Sequence, residues 1–225
     1  MITKDSRIKI ITGHFGSGKT EIAINLSLNE KEVYQKVAIA DLDVVNPYFR
    51  SRDVFKILDE KGIELIAPKG QLATSDLPIV SGEIYRVIHN TNYRLIIDLG
   101  GDKDGATALG QYYNDIIKYD YQMYFVVNIN RPYVSDVNGI ITSIMQIELA
   151  SRLKVTGIIN NTHLGSVTEL DNLQMGADLA KQVGEKLGIP FLYTTISYDF
   201  SEKTEGFSQS NNVLYIYRFT KLPWE

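Results

Sequence analysis

Seven short runs of consecutive apolar residues punctuate the chain, with helix-like stretches between them. They cover residues 7–12, 36–41, 63–67, 93–98, 122–128, 155–160 and 190–194; the third is the weakest. Within these runs the apolar residues are continuous rather than alternating, as in strands covered on both faces. Strands of that kind with helices between them predict an α/β fold. The expected architecture has three layers, with a doubly wound, mostly parallel sheet of about seven or eight strands. A later stretch, 213–219, does alternate, and predicts an added strand or an extended arm within a C-terminal section of roughly 200–225. One local pattern points the other way. Ile22, Ile24, Leu26 and Leu28 alternate like a half-buried strand, but the motif just before them demands a helix start, and a helix is predicted there.

That motif is Gly13-His14-Phe15-Gly16-Ser17-Gly18-Lys19-Thr20. It fits the P-loop pattern of Gly, four residues, Gly, Lys, then Ser or Thr. Glycines let the backbone curl until its N–H groups point at phosphate oxygens, and a side chain at Gly13 or Gly18 would crowd that approach. Lys19 would set an ammonium beside the β and γ phosphates, and the Thr20 hydroxyl would ligate Mg²⁺. The helix that follows adds its positive end. The nucleotide-binding set here is Gly13, Phe15, Gly16, Ser17, Gly18, Lys19, Thr20 and Glu21. A dinucleotide fingerprint is the nearest rival, but Glu21 stands where its third glycine should be.

Ligands of open parallel sheets bind beyond the C-terminal strand ends, and polar residues collect there in this chain. The second run ends in Asp41-Leu42-Asp43, the fourth in Asp98-Leu99-Gly100-Gly101-Asp102, the fifth in Asn128-Ile129-Asn130-Arg131 and the sixth in Asn160-Asn161-Thr162-His163. Asp98 can hold Mg²⁺ through a water, and Gly100 or Gly101 can offer an N–H to a γ-phosphate. Asp43 is the candidate to orient an attacking water and, with Thr20 and Asp98, belongs to the expected metal set. Its plainer reading is a turn cap ahead of Pro47. Arg50 and Arg52 read more simply as a solvated helix face, and Asp102 and Asp104 as caps of the next helix. The turn-rich stretch 68–78 is long for a connection and suits a lid or binding loop.

Composition narrows the field. At 225 residues the chain is long enough for one domain with a sizeable core. Its net charge of −4 argues against non-specific nucleic-acid binding. It has no cysteine, which removes disulfides, thiolate zinc sites, Fe–S clusters and a cysteine nucleophile, and its three histidines lack metal-ligand spacing. No apolar run is long enough to span a bilayer and no signal peptide is evident, so a cytoplasmic protein without a membrane anchor is expected.

The P-loop, the Asp41-x-Asp43 strand end, the Asp98-Leu99-Gly100-Gly101 strand end and Asn161 together resemble the MinD/ParA and cobyrinic acid a,c-diamide synthase superfamily. The likeness spans roughly residues 7–200 and is most specific from Gly13 to Pro47. It implies a P-loop ATPase related to the iron-protein and signal-recognition GTPase branch, with ATP and Mg²⁺ as cofactors and ATP or ADP bound. It also implies that Lys19 and Asp43 carry the chemistry, that Asn161 approaches the adenine, and that the loop after Pro190 closes over the base. A homodimer is among the assemblies it implies, although His14 stands where members carry a lysine that reaches the partner's nucleotide. Members of the ligase and kinase branches activate a small-molecule acceptor, and other P-loop proteins act as switches for a protein partner; both remain open here. ATP rather than GTP follows from the resemblance. The guanine-specific Asn-Lys-x-Asp pattern is met neither at residues 128–131 nor at 161–164.

Overall fold

The computed structural model describes residues 5–42, 52–67, 82–101, 103–165 and 168–219. Asp43, Arg50, the 68–78 stretch and Asp102 lie outside them. Each apolar run forms a strand. They are β1 (Ile8–Thr12), β2 (Val37–Leu42), β3 (Glu64–Ile66), β4 (Arg94–Leu99), β5 (Tyr121–Val127), β6 (Gly157–Asn160) and β7 (Phe191–Ser197). The alternating C-terminal stretch supplies β8 (Val213–Ile216). Between them lie α1 (Lys19–Val33), α2 (Arg52–Glu60), α3 (Gly82–His89), α4 (Lys103–Gly110), α5 (Tyr113–Ile116), α6 (Val137–Ser151), α7 (Leu170–Leu187) and α8 (Glu205–Ser210).

The eight strands form one sheet in the order β3-β2-β4-β1-β5-β6-β7-β8, and every neighbouring pair is parallel. Helices cover both faces, which explains the unbroken apolar runs. Ile8 and Ile10 of β1, with Ala38, Ala40, Leu95, Ile97, Phe125 and Val127, pack on the face that receives α3, α4, α6 and α7. The alternate positions, Ile11, Ile39, Ile96, Val126 and Ile159, pack on the opposite face against α1 and α2. Period-two alternation is therefore present, but both sets are apolar because both sides are dry.

β1 lies in the middle of the sheet, between β4 and β5. The chain leaves it toward β2 on one side and returns after β4 to build β5 on the other. That reversal opens a crevice beyond the C-terminal end of β1, where ligands of such sheets bind. Among the described residues no helix is long and apolar enough to cross a membrane.

Two features bind the ends of the chain to this frame. The stretch 22–28 is helical, as expected, and Ile22, Ala23, Ile24, Asn25 and Ser27 are all buried. A helix covered on several sides loses its one-sided pattern. Part of the cover is the segment after β8. Asn25 donates from Nδ2 to the Tyr217 carbonyl and accepts at Oδ1 from the Tyr217 N–H, both at 2.8 Å. At the N-terminal edge of the sheet, a charged cluster joins Lys9, Asp5, Glu30 and Arg94. The Tyr34 hydroxyl donates to Asp5 at 2.7 Å, and the Arg94 guanidinium lies 4.1 Å over the Tyr34 ring.

Candidate functional site

The loop between β1 and α1 curls through three glycines in the left-handed half of backbone space, Gly13 at φ 144°, Gly16 at 73° and Gly18 at 86°. Gly18 is the residue that starts α1. At Gly13 a β-carbon would also collide with the Val126 carbonyl. Ser17 N–H donates to the His14 carbonyl at 3.1 Å and closes the curl. The N–H groups of the first turn of α1 have no acceptor within their own helix pattern. A preformed, electropositive cradle results.

Lys19 is buried, and its Nζ donates to the His14 carbonyl at 3.4 Å. The Thr20 hydroxyl donates to Asp98 Oδ2 at 2.7 Å, although the two residues are 78 apart in sequence. Register explains the meeting: Asp98 in β4 lies beside Ile11 in β1, near the strand end that opens into the loop. Asp98 is fully buried. A hydroxyl and a carboxylate at this separation are hard oxygen donors. They suit Mg²⁺, which takes one or two protein oxygens and completes its shell with water and phosphate. Asp41 is buried as well and pairs in register with Asp98 across β2 and β4.

Gly101 sits against the same loop. A β-carbon there would lie 2.5 Å from the Gly13 carbonyl oxygen and 2.7 Å from the Phe15 nitrogen, so only glycine fits. Phe15 itself is exposed. The Glu21 carboxylate accepts the Phe219 N–H at 3.0 and 3.1 Å, which ties the C-terminal segment to the first turn of α1. Asp104 is exposed in the first turn of α4, where a carboxylate suits a helix N-terminus.

Asn161 is brought to the loop from below. Its Nδ2 donates to the Ser17 carbonyl at 2.7 Å, and its Oδ1 accepts from the Thr195 hydroxyl at 2.5 Å. Its neighbours extend the bracing. Asn160 Nδ2 donates to the Leu173 carbonyl at 3.0 Å and to Thr194 Oγ1 at 3.1 Å, while Thr162 Oγ1 accepts from Ile129 N–H at 3.3 Å. The end of β6 thus links β5, β7 and α7 to the P-loop. Around the loop's base, Thr12 Oγ1, Ser17 Oγ and Asn128 Nδ2 are buried without a hydrogen-bond partner among the described residues. Such orphans are few in folded proteins and mark places where a bound group or water belongs.

Sequence reasoning missed two residues here. Arg131, beyond β5, donates from Nε to the Gly16 carbonyl at 2.9 Å. His163, beyond β6, would lie 3.9 Å through Nε2 from a β-carbon at Gly18. Burial, followed by the nearby charges of Arg131 and Arg218, lowers the His163 imidazole to about 4. The available signal was positional: both residues follow the end of an apolar run. Both stand within the polar strand ends at 128–131 and 160–163, but no motif there assigns either of them a role.

No protein-family model matches the sequence, and no curated protein sequence does. Solved structures match in fold. Cell division protein FtsY from Thermotoga maritima superposes with a TM-score of 0.59 at 16% identity, over 86% of this chain and 63% of that one. FtsY from Mycoplasma mycoides gives 0.55 at 19%, over 86% and 61%. The signal recognition particle 54 kDa protein from Aeropyrum pernix, solved with GDP, gives 0.53 at 18%, over 85% and 42%. The chain spans less than two thirds of the length of each. The shared feature is the fold, an α/β P-loop domain of the type found in signal-recognition proteins.

Proposed function

We propose that this protein binds ATP with Mg²⁺ and hydrolyses it slowly. The observation that carries the reading is the 2.7 Å contact between Thr20 Oγ1 and Asp98 Oδ2 beneath a loop already curled for phosphate. Thr20 and Asp98 would hold the metal, which supplies positive charge to the β and γ phosphate oxygens when bound. Lys19 turns from the His14 carbonyl to the phosphates, and the loop N–H groups hold charge that develops in the transition state. Little covalent work falls to the protein in phosphoryl transfer, so positioning carries most of the catalysis. In this reading Asp43, the residue that follows β2 in sequence, orients the attacking water. The narrower kinship with MinD/ParA and cobyrinic acid synthase proteins belongs to the same proposal. It is supported by the sequence Asp41-x-Asp43 and by Asp98-Leu99-Gly100-Gly101, whose Gly101 lies against the loop.

Adenine is favoured by the end of β6, which lacks the guanine-specific Asn-Lys-x-Asp pattern. The test is titration calorimetry with ATP, ADP and GTP in the presence of Mg²⁺, alongside phosphate release from the same sample. ATP and ADP should bind more tightly than GTP, with slow release. Lys19→Ala should abolish tight binding. Preference for GTP would overturn the choice of base. Failure of the wild type to bind any nucleotide, or unchanged affinity in Lys19→Ala, would overturn the site.

A further inference from the structure

Arg131 is held against the phosphate loop by a connection anchored at both ends. Directly after β5 the chain turns back on Asn128: Asn130 N–H donates to Asn128 Oδ1 at 3.1 Å, and Arg131 N–H to the Asn128 carbonyl at 3.0 Å. At the far end of the connection, Asp136 caps α6 by accepting from Gly139 N–H at 2.9 Å. A β-carbon at Gly139 would collide with the Tyr133 carbonyl. Between these anchors Tyr133 sits at φ 66° with 79% of its surface exposed. Its burial does not explain that conformation. Non-glycine residues hold it only where their surroundings over-determine it, and such places concentrate at ligand sites.

The side chain so delivered lies on the loop. Its Nε donates to Gly16, and a β-carbon at Gly16 would be 3.0 Å from Nε and 3.2 Å from Cζ. A guanidinium has five N–H donors, so the terminal nitrogens remain after Nε is engaged. Arg86 meets Glu83 and Glu64, and Arg94 meets Glu30 and Asp5, while Arg7 and Arg152 donate to backbone carbonyls and lie over tyrosine rings. Arg131 meets no carboxylate among the described residues. The His163 imidazole lies within reach of its charge and is held neutral, first by burial and then by Arg131 and Arg218. A guanidinium fixed beside a phosphate cradle, with no carboxylate on it among the described residues, is arranged for an anion.

We propose that Arg131 is a phosphate-binding residue of this site, fixing the loop at Gly16 through Nε and offering its terminal amino groups to the phosphate chain beside Lys19. This rests on the nucleotide reading above. Two variants separate binding from bracing. Arg131→Gln loses the charge but keeps an N–H donor for the Gly16 carbonyl. Arg131→Lys keeps the charge. With ADP and ATP as titrants, Arg131→Gln should bind about tenfold more weakly or worse. Its melting temperature without nucleotide should stay near that of the wild type. Arg131→Lys should retain more affinity than Arg131→Gln, and its binding should keep a stronger salt dependence. Wild-type affinity in Arg131→Gln would overturn the inference, and so would equal loss in both variants together with lowered melting temperatures, the mark of a brace alone. In either case the wild type still binds. Absence of nucleotide binding by the wild type would instead bring down the reading of the whole site, and this inference with it.

Discussion

One methyl group at position 101 is enough to probe how tightly the loop and the end of β4 fit together. The atoms a Gly101→Ala side chain would meet, the Gly13 carbonyl oxygen at 2.5 Å and the Phe15 nitrogen at 2.7 Å, are backbone and cannot swing aside. The substitution should cost about 1–3 kcal/mol and, on the proposed function, weaken nucleotide binding by distorting the cradle. Thermal melting and nucleotide titration check the two effects separately. Residues of this kind mark the limit of what sequence reading reached. Lys19, Thr20 and Asp98 were legible because a motif or the end of an apolar run announces them. Arg131 and Gly16 are 115 residues apart, and Asn161 and Ser17 are 144 apart. No local pattern encodes a contact of that range. For Asn161, the donor and acceptor of its amide bind the Ser17 carbonyl and Thr195, a bracing duty that its position after β6 did not disclose.

Among the elements, β1 to β7 were readable because strands buried on both faces leave unbroken apolar runs, while β8 was signalled by alternation that fitted a strand or an extended arm. α1 was readable only through the motif before it. Its own period was misleading, since the sheet covers one side and the segment after β8 covers another. Asn25 is the hinge of that second contact, with both ends of its amide on the Tyr217 backbone. Asn25→Ala should remove both bonds, cost about 1–3 kcal/mol and loosen Tyr217 from α1, while Glu21 still holds the Phe219 N–H. Hydrogen exchange at the Tyr217 amide is the direct measurement. Protection there should fall in the variant while that of β1 and β4 persists.

For the molecule as a whole, the acid response divides between the two edges of the sheet. At the C-terminal edge, burial and two arginines lower His163 from 6.5 to about 4. The unfolded chain then binds a proton that the folded chain refuses, so stability falls as pH drops from about 6.5 toward 4. At the N-terminal edge, partial desolvation pushes Asp5 upward, but the Tyr34 hydroxyl, Lys9 and Arg94 outweigh it and hold the carboxyl at about 2. That contribution is present above pH 3.8 and is lost as pH falls toward 2. Melting temperature followed from neutral pH downward should therefore decline in two stages. His163→Gln should flatten the first stage and leave the second.

The clasp between Asn25 and Tyr217 also sets an order of events during synthesis. The two residues are 192 positions apart. At about 5–20 residues per second, roughly 10–40 s pass between their appearances on a growing chain. Throughout that interval the helix behind the phosphate loop lacks the segment that covers it. Until those late residues emerge, Asn25 on the growing chain lacks both of its Tyr217 backbone partners, so this part of the packing around α1 is completed last.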